Sequence, residues 1–162
     1  MQRKIAVQDI ANFVGKEIGL SRWRLVTQDM INQFAYATDD HQWIHVDEGK
    51  ARKTPFGGTI AHGFLTLSLL STLAYEALPE LEGATMGINY GFDKVRFISP
   101  VKTGTRVRAR FILSDAKVRP SGRVVFHYEV TMEIEKLKNP ALTANWLIIA
   151  MIEEKNSVCE TF

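Results

Sequence analysis

The sequence predicts an α+β domain in which an antiparallel β-sheet wraps around one central α-helix. Two observations carry that prediction. Residues 62–78 hold Phe64, Leu65, Leu67, Leu69, Leu70, Leu73, Ala74 and Leu78, apolar on nearly every side, as a helix enclosed by other structure would be. Everything after Gly87 reads as strand, in runs that are apolar on one face. A sheet curled around a helix satisfies both at once.

The elements follow in order. Residues 7–14 place Ile10, Phe13 and Val14 on one face of a short helix that Gly15 stops. Residues 22–26 form a brief strand. Thr27 caps the next helix, Asp29 sits in its first turn, and Met30, Ile31, Phe34 and Ala37 supply its apolar stripe. That helix ends near Asp39 and Asp40. Residues 40–61 are mostly loop, punctuated by Gly49, Pro55, Gly57 and Gly58. So long a loop is usually functional, and Trp43, Ile44, Val46, Phe56 and Ile60 predict that it packs down. Pro79 ends the central helix.

Among the strands, Val107, Ala109, Phe111 and Leu113 alternate with Arg106, Arg108 and Arg110; Val124 to Ile134 alternate with His127, Glu129 and Glu133. Folding these runs about the turn at residues 119–122 sets Arg106 near Glu135 and Arg108 near Glu133. The basic run thus becomes a solvated hairpin face rather than a nucleic-acid surface. Residues 87–98 change phase around Gly91, as a bulge would. Residues 142–152 are apolar on both faces, which fits a central strand. Four or more long strands around one helix make the hot-dog form of the α+β class, and residues 1–162 read as one domain of this kind.

Composition narrows the function. The 162 residues are 46% hydrophobic, enough for one sizeable core, and the formal charge of +2 implies neither nucleic acid nor a membrane surface. The lone cysteine, Cys159, cannot form an internal disulfide and fits a reducing compartment. With no signal-peptide pattern and no apolar run of about 18 residues, a cytoplasmic protein is expected.

The chemistry concentrates in residues 34–70. Asp40 and His45 lie five positions apart in a segment too broken for a long helix, and Gly57 and Gly58 lead to His62 and Gly63 at the start of the apolar helix. Unpaired N–H groups and the positive dipole end there suit a developing negative charge. An acid/base pair beside a helix N-terminus is the outline of a carbonyl-polarising site. Taken alone, however, Asp40 also reads as a turn residue and His45 as a packed core histidine.

The run Asp40-His41-Gln42-Trp43-Ile44-His45, with His62-Gly63 downstream, resembles the MaoC-like (R)-specific enoyl-CoA hydratase family, and its NodN-like branch in particular. The stretch from Gly87 through Ile98, Ser99 and Pro100 to Val101 is similar to that branch as well. The resemblance implies that Asp40 and His45 activate a water and that the Gly63 N–H holds the thioester oxygen. It further implies supporting roles for Ser71, His62 and Gln42, and a substrate channel lined by Ile60, Ala61, Gly87, Ile88, Asn89, Tyr90, Ile98, Ser99 and Pro100. The chain departs from the family pattern in two places. Asp39 replaces the usual glycine, adding a carboxylate that would raise the pKa of Asp40 if both faced the site. Gln42-Trp43 replaces Asn-Pro, which bears on the acyl end of the pocket.

The expected reaction is hydration of the trans-2 double bond of an acyl-CoA or acyl carrier protein thioester. It needs a base for water, an acid for C2 and a donor for the enolate oxygen, with no metal or redox cofactor. Asp40 and His45 share the proton work, in an order the sequence leaves open. His41 and His45 have helical metal-pair spacing but no accompanying Cys or Glu ligand. His62 orients the loop or caps the helix; Ser71 either supports the site or bonds back to a helix carbonyl. Lys94, Arg96 and Arg119 are candidates for CoA phosphates. The rivals are a hot-dog thioesterase, which would want an acidic residue in the helix body where only Glu76 is present, and a non-catalytic acyl-CoA binding module. The exposed sheet edge of a single hot dog predicts at least a homodimer.

Overall fold

The computed structural model describes residues 3–152; Cys159 and the first two residues of the N-terminus lie outside them. A short strand β1 (Lys4–Ile5) and a 3-10 helix (Val7–Phe13) precede β2 (Lys16–Leu20) and β3 (Arg24–Leu25). Helices α1 (Gln28–Thr38), α2 (Trp43–Val46), α3 (Glu48–Ala51) and α4 (Gly63–Ala77) follow. The chain closes with β4 (Glu80–Leu81) and the long strands β5 (Ala84–Phe97), β6 (Arg106–Arg119), β7 (Arg123–Ile134) and β8 (Leu142–Ile152). The main sheet runs β2-β6-β7-β8-β5 with β3 also on β6, all antiparallel; β1 and β4 pair separately and in parallel.

This is the hot-dog arrangement. Helix α4 buries Leu65, Leu69, Leu70, Leu73 and Ala74 against the inner sheet face, where Phe111, Leu113, Val130, Met132 and Leu142 are fully buried. Each such leucine contributes roughly 1.5–3 kcal/mol by leaving water. The helix is not enclosed on every side as its composition predicts: Phe64 and Tyr75 are 68% and 76% exposed. The reason is β5, an outer strand hydrogen-bonded only to β8 among the described residues, which leaves that flank open.

On the outer face, Arg106 binds Glu135 through two nitrogens at 2.6 and 2.8 Å, and Arg108 meets Glu133 at 2.6 Å. Arg110 joins Glu133 and Glu17, while the Arg108 guanidinium lies 4.4 Å above the Trp23 ring. Burial pushes the Glu133 carboxyl up, but the two guanidinium groups outweigh it and hold it below the usual carboxylate range. The phase change in β5 is a bulge between Asn89 and Gly91.

Local expectations were corrected where charge or glycine hid the pattern. The first helix is 3-10, and Val14, outside it, is largely exposed. Strand β2 carries Lys16, Glu17 and Gly19 and shows no alternation. Gly19 is needed because β2 crosses the end of α4 so closely that a Cβ would lie 2.6 Å from the Ala77 carbonyl oxygen. In α1 the buried residues are Ile31 and Ala35, with Ala37 exposed. The stretch 40–61 contains two single-turn helices, and Trp43 and Val46 stay largely exposed while Ile60 packs inward. Among the described residues no helix is long and apolar enough to cross a membrane.

Candidate active site

The Thr27 hydroxyl accepts from the Met30 N–H to start α1, and Asp39 ends that helix in the left-handed region at φ 58°. That reversal carries Asp40 over the start of α4. It also turns the Asp39 carboxylate into solvent, 3.6 Å from His41 and 99% exposed, so the second carboxylate expected beside Asp40 faces away from it. His41 is drawn to the surface as well and does not converge with His45.

The single turn of α2 swings His45 inward, its N–H donating to the Gln42 carbonyl at 2.9 Å. His45 is buried, and its Nδ1 lies 2.7 Å from the Ile60 carbonyl oxygen. A carbonyl only accepts, so Nδ1 holds the hydrogen and Nε2 of the neutral ring carries the free lone pair. Burial pushes the His45 pKa below 6.5; the Ile60 contact and Asp40 oppose the shift, and His62 adds to it.

His62 precedes α4 and is 2% exposed. Its ring stacks on His45 at 3.8 Å and is packed by Phe34 at 5.0 Å. His62 Nε2 lies 2.9 Å from the Asp40 carbonyl and 4.0 Å from the Asp40 carboxylate. By the same argument Nε2 is the protonated nitrogen, and the buried Nδ1 has no partner among the described residues. His62 thus orients the loop and makes no side-chain cap. Ligand atoms of Asp40, His45 and His62 lie within 4.8 Å of one another. The two imidazoles, however, stack with planes 27° apart, so their in-plane lone pairs run side by side instead of converging as a tetrahedral ion requires.

A polar network behind His45 has no sequence signature. The Gln28 side chain donates to the His45 carbonyl at 2.8 Å and accepts from the hydroxyls of Thr59 and Thr103 at 2.6 and 3.1 Å. These residues come from three separate segments, so only the fold joins them. Gly63 opens α4 with its backbone against the Phe97 ring; a Cβ there would sit 3.2 Å from three ring atoms.

The other candidate residues divide into two places. Ile60 and Ala61 pair with the chain at Lys102 and Val101, and Ile98 and Ser99 donate to the Ala141 carbonyl; with Pro100 they belong to the α4 N-terminal end. Ser71, Gly87, Ile88 and Asn89 instead line a cavity of about 560 Å³ between the second half of α4 and the sheet. There the Asn89 amide donates to the Ser71 hydroxyl at 3.4 Å. Tyr90 is 64% exposed and does not line it. Gln42 acts through its backbone, its N–H reaching Asp40 Oδ1 at 3.4 Å. Lys94, Arg96 and Arg119 are exposed strand residues.

The model of the MaoC-like domain matches residues 9–134, which include Asp40, His45 and Gly63. The chain belongs to the MaoC-like dehydratase family. This MaoC-like chain is 53% identical over 154 residues to nodulation protein N of Rhizobium meliloti, covering 94% of itself and 96% of that protein. It is 43% identical over 143 residues to 3-hydroxyacyl-thioester dehydratase Z of Mycobacterium tuberculosis, covering 88% and 94%. Among solved structures, the unliganded R-hydratase of Pseudomonas aeruginosa superposes with TM-score 0.65 at 25% identity, covering 86% of this chain and 83% of that one.

Proposed function

We propose that this MaoC-like protein, one domain over residues 1–162, is an (R)-specific 2-enoyl thioester hydratase, run in reverse a 3-hydroxyacyl thioester dehydratase. The observation that carries the reading is the Ile60 carbonyl on His45 Nδ1, which leaves a free Nε2 lone pair beside Asp40 and the start of α4. A water held by Asp40 and His45 attacks C3 of the enoyl group. Its proton passes to His45 Nε2, and the Asp40/His45 pair returns one proton to C2, so that OH and H are both added and the pair is regenerated. The Gly63 N–H receives the enolate-like oxygen; such a donor is typically worth about 3 kcal/mol. No metal or redox group enters this scheme.

The names of the mycobacterial and Pseudomonas relatives, a 3-hydroxyacyl-thioester dehydratase and an R-hydratase, denote the two directions of one reaction and support this substrate class, with CoA or acyl carrier protein as the thiol. A homodimer fits the open flank. Among the described residues strand β5 has one unpaired edge, and Met86, Ile88 and Tyr90 are exposed, as are Phe64 and Tyr75 of α4.

The test is hydration of crotonyl-CoA, followed as loss of the conjugated thioester absorbance. The expected result is turnover by the parent protein and loss of orders of magnitude in folded Asp40→Asn and His45→Gln. Release of free CoA instead would replace the reading with a thioesterase, and binding without turnover would leave a binding module.

A further inference from the structure

We propose that His62 is a positioning residue for the hydration: its Nε2–H holds Asp40 in register with His45 and Gly63, and the imidazole is kept there at a cost to stability. The inference rests on the hydratase reading above.

Asp40 has little else to fix it. It follows the left-handed residue that ends α1, and its side chain is 53% exposed. The one hydrogen bond to its carboxylate among the described residues, from the Gln42 N–H, is long at 3.4 Å. His62, by contrast, is anchored. Its carbonyl accepts from the Thr66 N–H at 3.1 Å and from the Thr66 hydroxyl at 3.2 Å, which ties it to the first turn of α4. Its buried ring packs against both His45 and Phe34. From that frame Nε2 reaches the Asp40 carbonyl at 2.9 Å. The next residue in the chain is Gly63. A single anchored segment therefore carries the N–H for the enolate-like oxygen, a ring against His45 and a donor on Asp40.

The other ring nitrogen separates function from packing. Nδ1 is buried and meets no partner among the described residues. A buried polar atom left unpaired forfeits its hydration and destabilises the fold. A side chain that only filled this space would do better without a second polar atom, as Met or Leu would. What an apolar side chain cannot supply is the donor to Asp40. Misplacing a reacting group by about 1 Å costs on the order of 100-fold in rate, so this hydrogen bond matters more to turnover than to stability.

The test compares His62→Gln with His62→Met in crotonyl-CoA hydration, each with a urea midpoint. The two new side chains have nearly the same shape, and both lose the ring stacked on His45. Only His62→Gln keeps a donor, its terminal NH2 falling where Nε2 lies. The expected kcat of His62→Met is about 10- to 100-fold below that of His62→Gln, with KM within about threefold. His62→Met should unfold at the same urea concentration or higher. Combined with Asp40→Asn, the difference in kcat between the two should fall to near unity, because residue 62 then has no carboxylate to place.

Equal kcat in the two variants overturns the inference, and so does a difference that Asp40→Asn leaves intact. A lower urea midpoint for His62→Met than for His62→Gln overturns it as well, since the contact would then serve the fold; failure of both variants to fold has the same meaning. Crotonyl turnover by the parent with equal variants removes this inference alone. A parent protein that does not hydrate crotonyl-CoA removes the hydratase reading and this inference with it.

Discussion

His45 and Ile60 are joined by a 2.7 Å contact between imidazole Nδ1 and a backbone carbonyl, and this contact decides which nitrogen serves the site. Fifteen residues of loop separate them, so the tautomer of His45 is set by how the loop folds back.

The first prediction concerns pH. Burial holds the His45 pKa below 6.5, so the basic form persists under more acidic conditions than a free imidazole allows. The acid limb of kcat/KM for crotonyl-CoA hydration should therefore fall below pH 6.5. Stability follows the same sign. Between the folded value and 6.5 the unfolded chain binds more protons, so the contribution is complete above 6.5 and is lost as pH falls through the folded value. A pH–rate profile with a limb above 6.5 would contradict the assignment of His45 as base.

On the proposed reading Gln28 positions His45 through its carbonyl. Replacing it with leucine strips the His45 carbonyl and the Thr59 hydroxyl of a partner, at a cost of about 1–3 kcal/mol in stability. Loss of register at His45 should lower kcat by about 10- to 100-fold while KM changes little. Steady-state kinetics beside a urea midpoint separate the two effects; an unchanged kcat in folded protein would show that the network does not hold His45.

Asp39 occupies φ 58°, where glycine is at ease and a side chain is strained. Asp39→Gly should unfold at the same urea concentration or higher, whereas Asp39→Ala should lose about 1 kcal/mol. Both should hydrate crotonyl-CoA within about twofold of the parent, because the carboxylate stands in screened solvent. A marked change in rate for Asp39→Gly would mean that this carboxylate does reach the site.

The hot-dog plan was legible because its two signals are strong. An all-round apolar helix and long alternating strands leave few ways to bury both, and the Arg108–Glu133 pairing followed from counting outward from one turn. The glycine that the family pattern carries at position 39 acquires a physical reason in the left-handed turn found there. Strand β2 was illegible: a bulge and the close pass of Gly19 over Ala77 replace the period of two with charges and a glycine. Asp40, His45 and His62 stood out by type and spacing, and the structure gathers them. Gln28, Thr59 and Thr103 did not, since a polar residue acquires a partner only through tertiary contacts.

The order of strands has a consequence for how the chain acquires its shape. β8 is the last described strand in sequence, yet it lies between β7 and β5. β5 leaves the end of α4 more than forty residues before β8 begins, and Ala84 must wait for Ile152. Until then the growing polypeptide holds a completed hairpin, β6–β7, and a helix flanked by a strand with no sheet to join. Such long-range closure is slow compared with local pairing. The apolar flank formed by α4 and β5 is therefore open from the time β5 is made until β8 inserts at the seam.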